Sequence, residues 1–212
     1  MARLEKGILD EFSGKVGKVV GSNWRGVPYI RSIGGKRRNA KTPKQEEQQA
    51  KFAVASDFST SMTDLFTLGF RDYAVRMTGR NYAQSLILTN AIDGTNPDFK
   101  IAYDRVLVSK GKLPNVEGAV ATSPKAGTLQ ITWSGTDENG KEKATDVSIL
   151  VAYCPELKRT VFKPGATRDT GTAELNVPAK FNGKKVQTWL TFMSANGKLM
   201  ATSVYTGEVT IS

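Results

Sequence analysis

The sequence predicts an α+β protein: an N-terminal basic β-hairpin and a long amphipathic helix, followed by an antiparallel seven-stranded β-sandwich. Glycine-rich, β-branched stretches open the chain, an apolar stripe at helical spacing follows them, and short alternating strands separated by turn residues fill the second half. The length of 212 residues suits one large domain or two small ones. We place the boundary between 1–112, the basic hairpin and helical region, and 113–212, the sandwich.

The predicted hairpin consists of two short strands, Lys15–Val20 and Val27–Ile33, connected by the turn-forming residues of Ser22–Gly26. Pro28 has no backbone N–H to donate, so we expect it at the start of its strand or on an edge strand. A hairpin of this size is not stable in isolation. We therefore expect it to dock on the chain's own helix or on a partner's sheet edge.

The helix has clear start and stop signals. Thr42 is the expected N-cap, Pro43 suits the first helical position, and Gln45 completes a capping box. Apolar residues then recur at spacings of three and four, which predicts a core-facing stripe: Ala50, Val54, Phe58, Met62, Leu65 and Phe66. Gly69 is placed to end this helix. A second helical pattern covers Tyr82–Ala91, before a turn expected at Asp93 and Gly94.

A strand pattern beginning at Asp98 leads to an expected linker at Lys110–Pro114, and strands and turns follow to residue 212. Leu129, Ile131 and Trp133 alternate onto one face, as half-buried strands do. Turn residues such as Asp137–Gly140 and Asn196–Gly197 separate the strands. The predicted strands are Glu117–Ala121, Thr128–Trp133, Val147–Tyr153, Arg159–Lys163, Thr172–Val177, Val186–Met193 and Leu199–Thr210.

The segment from Phe12 to Gln45 contains nine basic residues and no acidic one, in a chain whose net charge is +10. A polyanion, or an acidic face on another protein, complements such a segment, whereas a basic surface kept for solubility is the simpler alternative. Trp24 and Tyr29 are interleaved with the charges as candidate stacking platforms. The candidate contact residues for a partner or a polyanion are Lys15, Lys18, Trp24, Arg25, Tyr29, Arg31, Lys36, Arg37, Arg38, Lys41 and Lys44.

The composition argues against catalysis. The chain has no histidine, which excludes Ser-His-Asp and Cys-His arrangements and removes the commonest metal ligand. The single cysteine, Cys154, lies in a strand pattern where it is expected to be a buried apolar side chain. The glycines between 14 and 35 lack the Lys-Ser/Thr of a phosphate-binding loop. We expect no catalytic residue, cofactor, metal site or small-molecule substrate.

We expect the N-terminal residues not to act as a signal peptide, because the apolar run is short and has charges on both sides, and we expect no membrane span. These observations predict a protein that is cytoplasmic as synthesised. A virion is the further location that we consider.

Two resemblances add to these expectations. The segments LQITWS, SILVAY and WLTFMSANGKLMATS resemble a fibronectin type III or immunoglobulin-like sandwich, which implies a buried tryptophan at Trp133. The segments GILDEFSGKVGKVVGSNWRGVPYIRS and TPKQEEQQAKF are similar to an uncharacterised protein family of Bacteroidota and their phages. This similarity extends through SLILTNAIDGTNPDF and VLVSKGKL. It implies a phage connection and carries no activity.

Two functions follow as hypotheses. The first is a non-enzymatic structural or assembly protein, such as a phage virion or phage-associated component, that forms a homo-oligomer or larger assembly through its basic N-terminal arm and sandwich. The alternative is a nucleic-acid-binding protein that contacts phosphates through residues 15–44. Both use the same basic segment, so the sequence does not separate them.

Overall fold

The structure is a computed structural model that describes residues 12–35, 41–134 and 143–212 together with the backbone of residues 3–4. Within these residues the protein is a mixed α+β fold, as predicted. It contains three α-helices, and its sheets are built from antiparallel pairs. The predicted turn at residues 137–140 lies outside the described residues.

The N-terminal part is a four-stranded sheet rather than a single hairpin. Its strands lie in the order β1-β2-β3-β4. The predicted strand Lys15–Val20 is wrong, because Gly17 and Lys18 form a two-residue turn inside it, with Gly17 at φ +57°. Pro28 lies on the edge strand, as expected. The strands are β1 Arg3–Leu4, β2 Phe12–Val16, β3 Val19–Trp24 and β4 Val27–Ser32.

The helices are α1 Pro43–Ser61, α2 Thr63–Gly69 and α3 Gly79–Asn90. The predicted capping box is confirmed: the Gln45 amide donates to Thr42 Oγ1, and the Gln45 side-chain oxygen accepts from the Thr42 amide.

The single long helix predicted up to Gly69 is interrupted at Met62, between α1 and α2. Hydroxyl groups near the break bond to backbone carbonyls, as Ser59 Oγ does to the Ala55 oxygen at 2.6 Å. Such bonds compete with the helical ladder and bend helices. The apolar stripe nevertheless stays on one side, because Phe58, Met62 and Phe66 are all buried.

A small hairpin follows the helices. Strand β5, Ile92–Thr95, pairs with β6, Asp98–Ile101, and a 3₁₀ turn at Tyr103–Arg105 comes next. The turn expected at Asp93 and Gly94 is wrong, because both residues lie inside β5. The strand pattern that begins at Asp98 is also shorter than expected.

The C-terminal strands form two facing sheets. A three-stranded sheet has the order β11-β8-β7, and a four-stranded sheet has the order β10-β9-β12-β13. Leu129, Ile131 and Trp133 point into the core between them, as predicted, and Cys154 is buried in the same core. The strands are β7 Glu117–Lys125, β8 Thr128–Ser134, β9 Val147–Cys154, β10 Arg159–Thr167, β11 Thr172–Asn176, β12 Lys185–Met193 and β13 Val204–Thr210.

The helices form a third layer on the outer face of the four-stranded sheet. The second hydrophobic core joins Phe58 and Phe66 of the helices to Ile149, Val151 and Trp189 of the sheet. The Trp189 indole N–H donates to the Val106 oxygen at 3.1 Å, which satisfies its polar atom in this core. Strand β9 is therefore buried on both faces.

The expected linker at Lys110–Pro114 is hydrogen-bonded to other segments of the chain. The Lys110 amide donates to the Gly69 oxygen at 3.1 Å, and the Leu113 amide donates to the Met200 oxygen at 3.0 Å. The second hydrophobic core joins residues on both sides of the boundary between 112 and 113, and Ser109 Oγ donates to Thr191 Oγ1 at 2.7 Å across it. The division of the chain into two domains at this point stays a prediction that truncation can test.

A buried ion pair closes one end of the sandwich. Arg168 Nε lies 3.5 Å from Asp146 Oδ2, and both side chains are about 1% exposed. The Arg168 guanidinium also lies 4.1 Å from the centre of the Phe192 ring and donates to the Pro114 oxygen. Removing one partner of such a pair leaves the other charge buried without compensation.

Candidate functional site

The strand register sorts the side chains of the N-terminal sheet onto two faces. Directly paired residues share a face, and the register pairs Lys15 with Val20 and Val20 with Arg31. Trp24 and Tyr29 belong to the same alternation. We call this side the basic–aromatic face; it carries Lys15, Trp24, Tyr29 and Arg31.

Among the residues that the structure describes, the opposite side carries no charged side chain. Register pairs Val16 with Val19 and Gly21 with Ile30 on this side, and the Phe12 ring covers Gly21. A Cβ atom at Gly21 would lie 2.6 Å from Phe12 Cδ2, so only glycine fits beneath the ring. We call this side the apolar face; it carries Phe12, Val16, Val19, Pro28 and Ile30.

Both faces are exposed. Among the described residues, seven of the twelve exposed large hydrophobic side chains lie between Val16 and Ile33. Val16 is 56% exposed and Ile30 is 66% exposed. Neither hydrophobic core includes a residue of this sheet. A contiguous exposed apolar surface of this kind marks an interaction site in a folded protein.

The other candidate contact residues are placed differently. Lys18 lies in the β2–β3 turn and Arg25 in the β3–β4 turn, so the two charges stand at opposite ends of the sheet. Arg25 adopts a φ of +49°, and the Gly26 amide of the same turn donates to Asn23 Oδ1 at 2.9 Å. This two-residue turn with two positive φ angles matches the twist of a hairpin.

The remaining lysines and arginines lie after the sheet. Lys41 is exposed just before α1, and Lys44 is exposed in the first turn of α1. Lys36, Arg37 and Arg38 lie outside the described residues. The structure thus brings together four of the candidate contacts, namely Lys15, Trp24, Tyr29 and Arg31, on one surface.

Sequence reasoning missed the apolar face. Its signal was present, because a two-residue turn at Gly17 and Lys18 makes Val16 and Val19 direct partners on one face. A shift of one residue in a strand moves every side chain to the other face. The prediction of one continuous strand across that turn did not separate the apolar and the charged side chains onto two faces.

Other chemistry is sparse in the part of the chain that the structure describes. It contains no group of three or more His, Cys, Asp or Glu side chains arranged to hold a metal ion. None of its helices is both long and apolar enough to cross a membrane. Cys154 is a free, buried thiol.

These observations define a protein in which helices cover one side of a two-sheet sandwich and a basic sheet stands exposed at the N-terminal end. The chain belongs to a family described as a family of unknown function (DUF6266), which matches residues 11–207. No curated protein matches it.

Among solved structures, the chain is similar to the fn3 domain of the human collagen alpha-1(XX) chain, determined in solution. The two are 17% identical, and the match covers 46% of this chain and 85% of that domain with a TM-score of 0.30. The likeness is weak.

Proposed function

We propose that this protein is a non-enzymatic assembly protein that docks through its N-terminal sheet, with a second copy of the chain as the first partner. The observation that carries the proposal is the apolar face. Its valine and isoleucine side chains are exposed and belong to neither hydrophobic core. In such an assembly, contacts between N-terminal sheets connect the sandwiches of neighbouring copies.

The energetics favour a covered sheet. Full burial of one Val or Ile side chain stabilises by about 1.5–3 kcal/mol, and the apolar face offers Val16, Val19 and Ile30 together. Small sheets gain stability by packing a hydrophobic face or a helix, and neither hydrophobic core packs on this sheet. Contact with another surface supplies the missing burial.

The charge distribution favours a second copy on this face. A chain of net charge +10 repels its copies, but the apolar face contributes no charge to a contact. Lys15 and Arg31 point to the opposite side and stay in water when two apolar faces meet. Two identical faces related by a two-fold axis form a closed dimer.

Size-exclusion chromatography with light scattering tests this proposal, at low and at high salt. We expect a multimer that resists salt, and we expect the double variant Val16→Ser, Ile30→Ser to be a monomer. Val120→Ser is the matched control, because Val120 is 53% exposed on the sandwich strand β7. A wild-type chain that is monomeric at all concentrations, or a double variant that keeps the multimer, would contradict the proposal.

Nucleic-acid contact is the second candidate, and the basic–aromatic face supports it. Two cations and two aromatic rings share this face, with Lys18 and Arg25 at its ends. Cations that follow a backbone and rings that stack on bases are the usual means of binding single strands.

Fluorescence anisotropy with a single-stranded oligonucleotide tests this candidate. Each lost phosphate contact lowers the slope of log K against log salt by about 0.7, so Lys15→Ala with Arg31→Ala should lower it by about 1.4. The matched control removes two exposed lysines of the sandwich, Lys163→Ala with Lys198→Ala. Purified protein with no absorbance at 260 nm beyond that of its own aromatic residues, together with no binding at low salt, would exclude the candidate.

We propose two finer assignments, each with its own support. A place in a phage particle rests on the resemblance of the N-terminal segments. The assignment of the sandwich as seven-stranded and immunoglobulin- or fibronectin-III-like is supported by the order of its strands.

A further inference from the structure

A cavity lies where α1, the β6 strand and the end of β9 meet, away from the N-terminal sheet. Its volume is about 340 Å³, at the small end of the range that ligand sites occupy. Its walls are mostly apolar, with charged groups among them. The residues that matter for the argument are Asp57, Phe58, Lys100, Tyr103, Tyr153 and Lys158.

Three aromatic rings form one side of this cavity. The Phe58 and Tyr153 rings meet edge to face with 4.9 Å between their centres, and Tyr103 lies 5.9 Å from each. These rings are held by the core beneath the helices, so the wall is formed before any ligand arrives. A planar apolar ligand gains contact with such a wall without ordering it.

Two tyrosine hydroxyls at this wall lack protein partners. Neither the Tyr153 hydroxyl nor that of Tyr103 makes a hydrogen bond within the described residues, and neither is among the buried polar atoms that lack a partner. Both residues line the cavity. Their hydroxyls are therefore accessible and free to donate to a ligand atom.

The hydroxyls are donors at neutral pH. Burial raises the pKa of Tyr153, and the neighbouring Tyr103 and Asp57 raise it further. Burial likewise raises the pKa of Tyr103. Both side chains thus keep their protons and can donate to an anion.

The charges at the cavity favour an anion as well. Lys158 Nζ donates to Asp57 Oδ2 at 2.6 Å, so these two charges neutralise each other. Lys100 is exposed at the cavity and has no ion-pair partner within the described residues. One ammonium group is therefore available for a ligand carboxylate.

We propose that this cavity binds a small planar aromatic acid, whose ring packs on Phe58 and the two tyrosines and whose carboxylate accepts from Tyr153 and pairs with Lys100. The site does not depend on the assembly function. It would give the protein a small-molecule ligand, which the sequence did not predict.

Calorimetric titration of the full chain with 2-naphthoate tests the site, with 2-naphthamide as the uncharged probe of the same shape. We expect saturable binding of the acid and about tenfold weaker binding of the amide. Tyr153→Phe keeps the ring and removes only the hydroxyl, and Lys100→Met keeps the aliphatic stem. Each should weaken binding of the acid about tenfold, whereas the control Lys163→Met should not.

Two readouts keep the test independent of folding and of the N-terminal sheet. Thermal melting checks that Tyr153→Phe folds as the wild type does, and Tyr103→Phe replaces it if it does not. Amide NMR shifts on addition of 2-naphthoate should appear at Val54 and Ile101 and not in residues 12–33. Absence of saturable binding, equal affinity for acid and amide, or shifts confined to residues 12–33 would overturn the proposal.

Discussion

Two antiparallel sheets of this protein contrast with each other: the N-terminal sheet and the four-stranded sheet of the sandwich. All six residues of the N-terminal edge strand β4 are exposed, whereas seven of the eight residues of β9 are buried. Both strands are rich in apolar residues. The difference lies in what covers them, because β9 has a second sheet on one side and helices on the other.

The sandwich and the helices that cover it, which we call the body, differ from the N-terminal sheet in how their apolar side chains are buried. The body buries them against other parts of the same chain, so its stability does not require a partner. The N-terminal sheet has segregated its residues into an apolar and a basic–aromatic face without covering either one. We propose that a surface built in this way obtains its burial from contact with another molecule.

The largest effect is expected on truncation. Removing residues 1–112 uncovers Ile149, Val151 and Trp189, which the helices bury in the full chain. We expect the fragment 113–212 to lose the cooperative thermal transition, measured by circular dichroism. Removing residues 1–35 should leave the transition of the body nearly unchanged. A fragment 113–212 that melts as the full chain does would establish the two-domain division instead.

The buried ion pair provides the next test. Arg168→Ala leaves Asp146 buried without its partner, and such changes destabilise by about 3–5 kcal/mol. The control is Arg105→Ala, which breaks the exposed pair with Asp93 and should cause no measurable change. Urea denaturation measures both. Equal midpoints for the two variants would contradict the role given to Arg168.

Two isoleucines compare the regions directly. Ile149→Ala, in β9, should lower the free energy of unfolding by about 2–5 kcal/mol, because it leaves a cavity beneath the helices. Ile30→Ala, in β4, should leave the unfolding of the body unchanged. Urea denaturation of monomeric protein measures both variants. Similar losses in the two variants would mean that the N-terminal sheet shares the stability of the body.

The smallest expected effect is a pH-dependent contribution of Glu208 to the free energy of unfolding. Hydrogen bonds from Lys185 and Gln187 lower the pKa of Glu208 on β13. Because the folded-state pKa lies below that of the unfolded chain, the bonds stabilise the fold at neutral pH and are lost as the pH falls through the folded-state value. Glu208→Gln should flatten the acid side of the stability profile slightly, and an unchanged profile would argue against it.

Local features of the fold were predictable from the sequence, and contacts between distant segments were not. The cap at Thr42 and the burial of Phe58 follow from residue type and spacing. The break at Met62 depends on how hydroxyl groups compete for carbonyls, which spacing does not show. Helical coverage of β9 had a signal in its continuous apolar run, which is typical of strands buried on both faces.

The residues of the candidate surface were predictable from the sequence, but their arrangement on one face was not. Lys15, Trp24, Tyr29 and Arg31 were identified by type, but their common face depends on a register set by the Gly17–Lys18 turn. The cavity could not be predicted, because its residues come from α1, β6, the following turn and β9. No local pattern brings Asp57 to Lys158.

Hydrogen exchange of the intact protein tests the central claim most directly, namely that contact with a partner stabilises the N-terminal sheet. Amides of residues 12–33 and of β9 are followed by mass spectrometry over a dilution series. We predict that protection of residues 12–33 falls as the multimer dissociates, while protection of β9 does not change. Residues 12–33 that stay as protected as β9 in dilute monomer would contradict the claim.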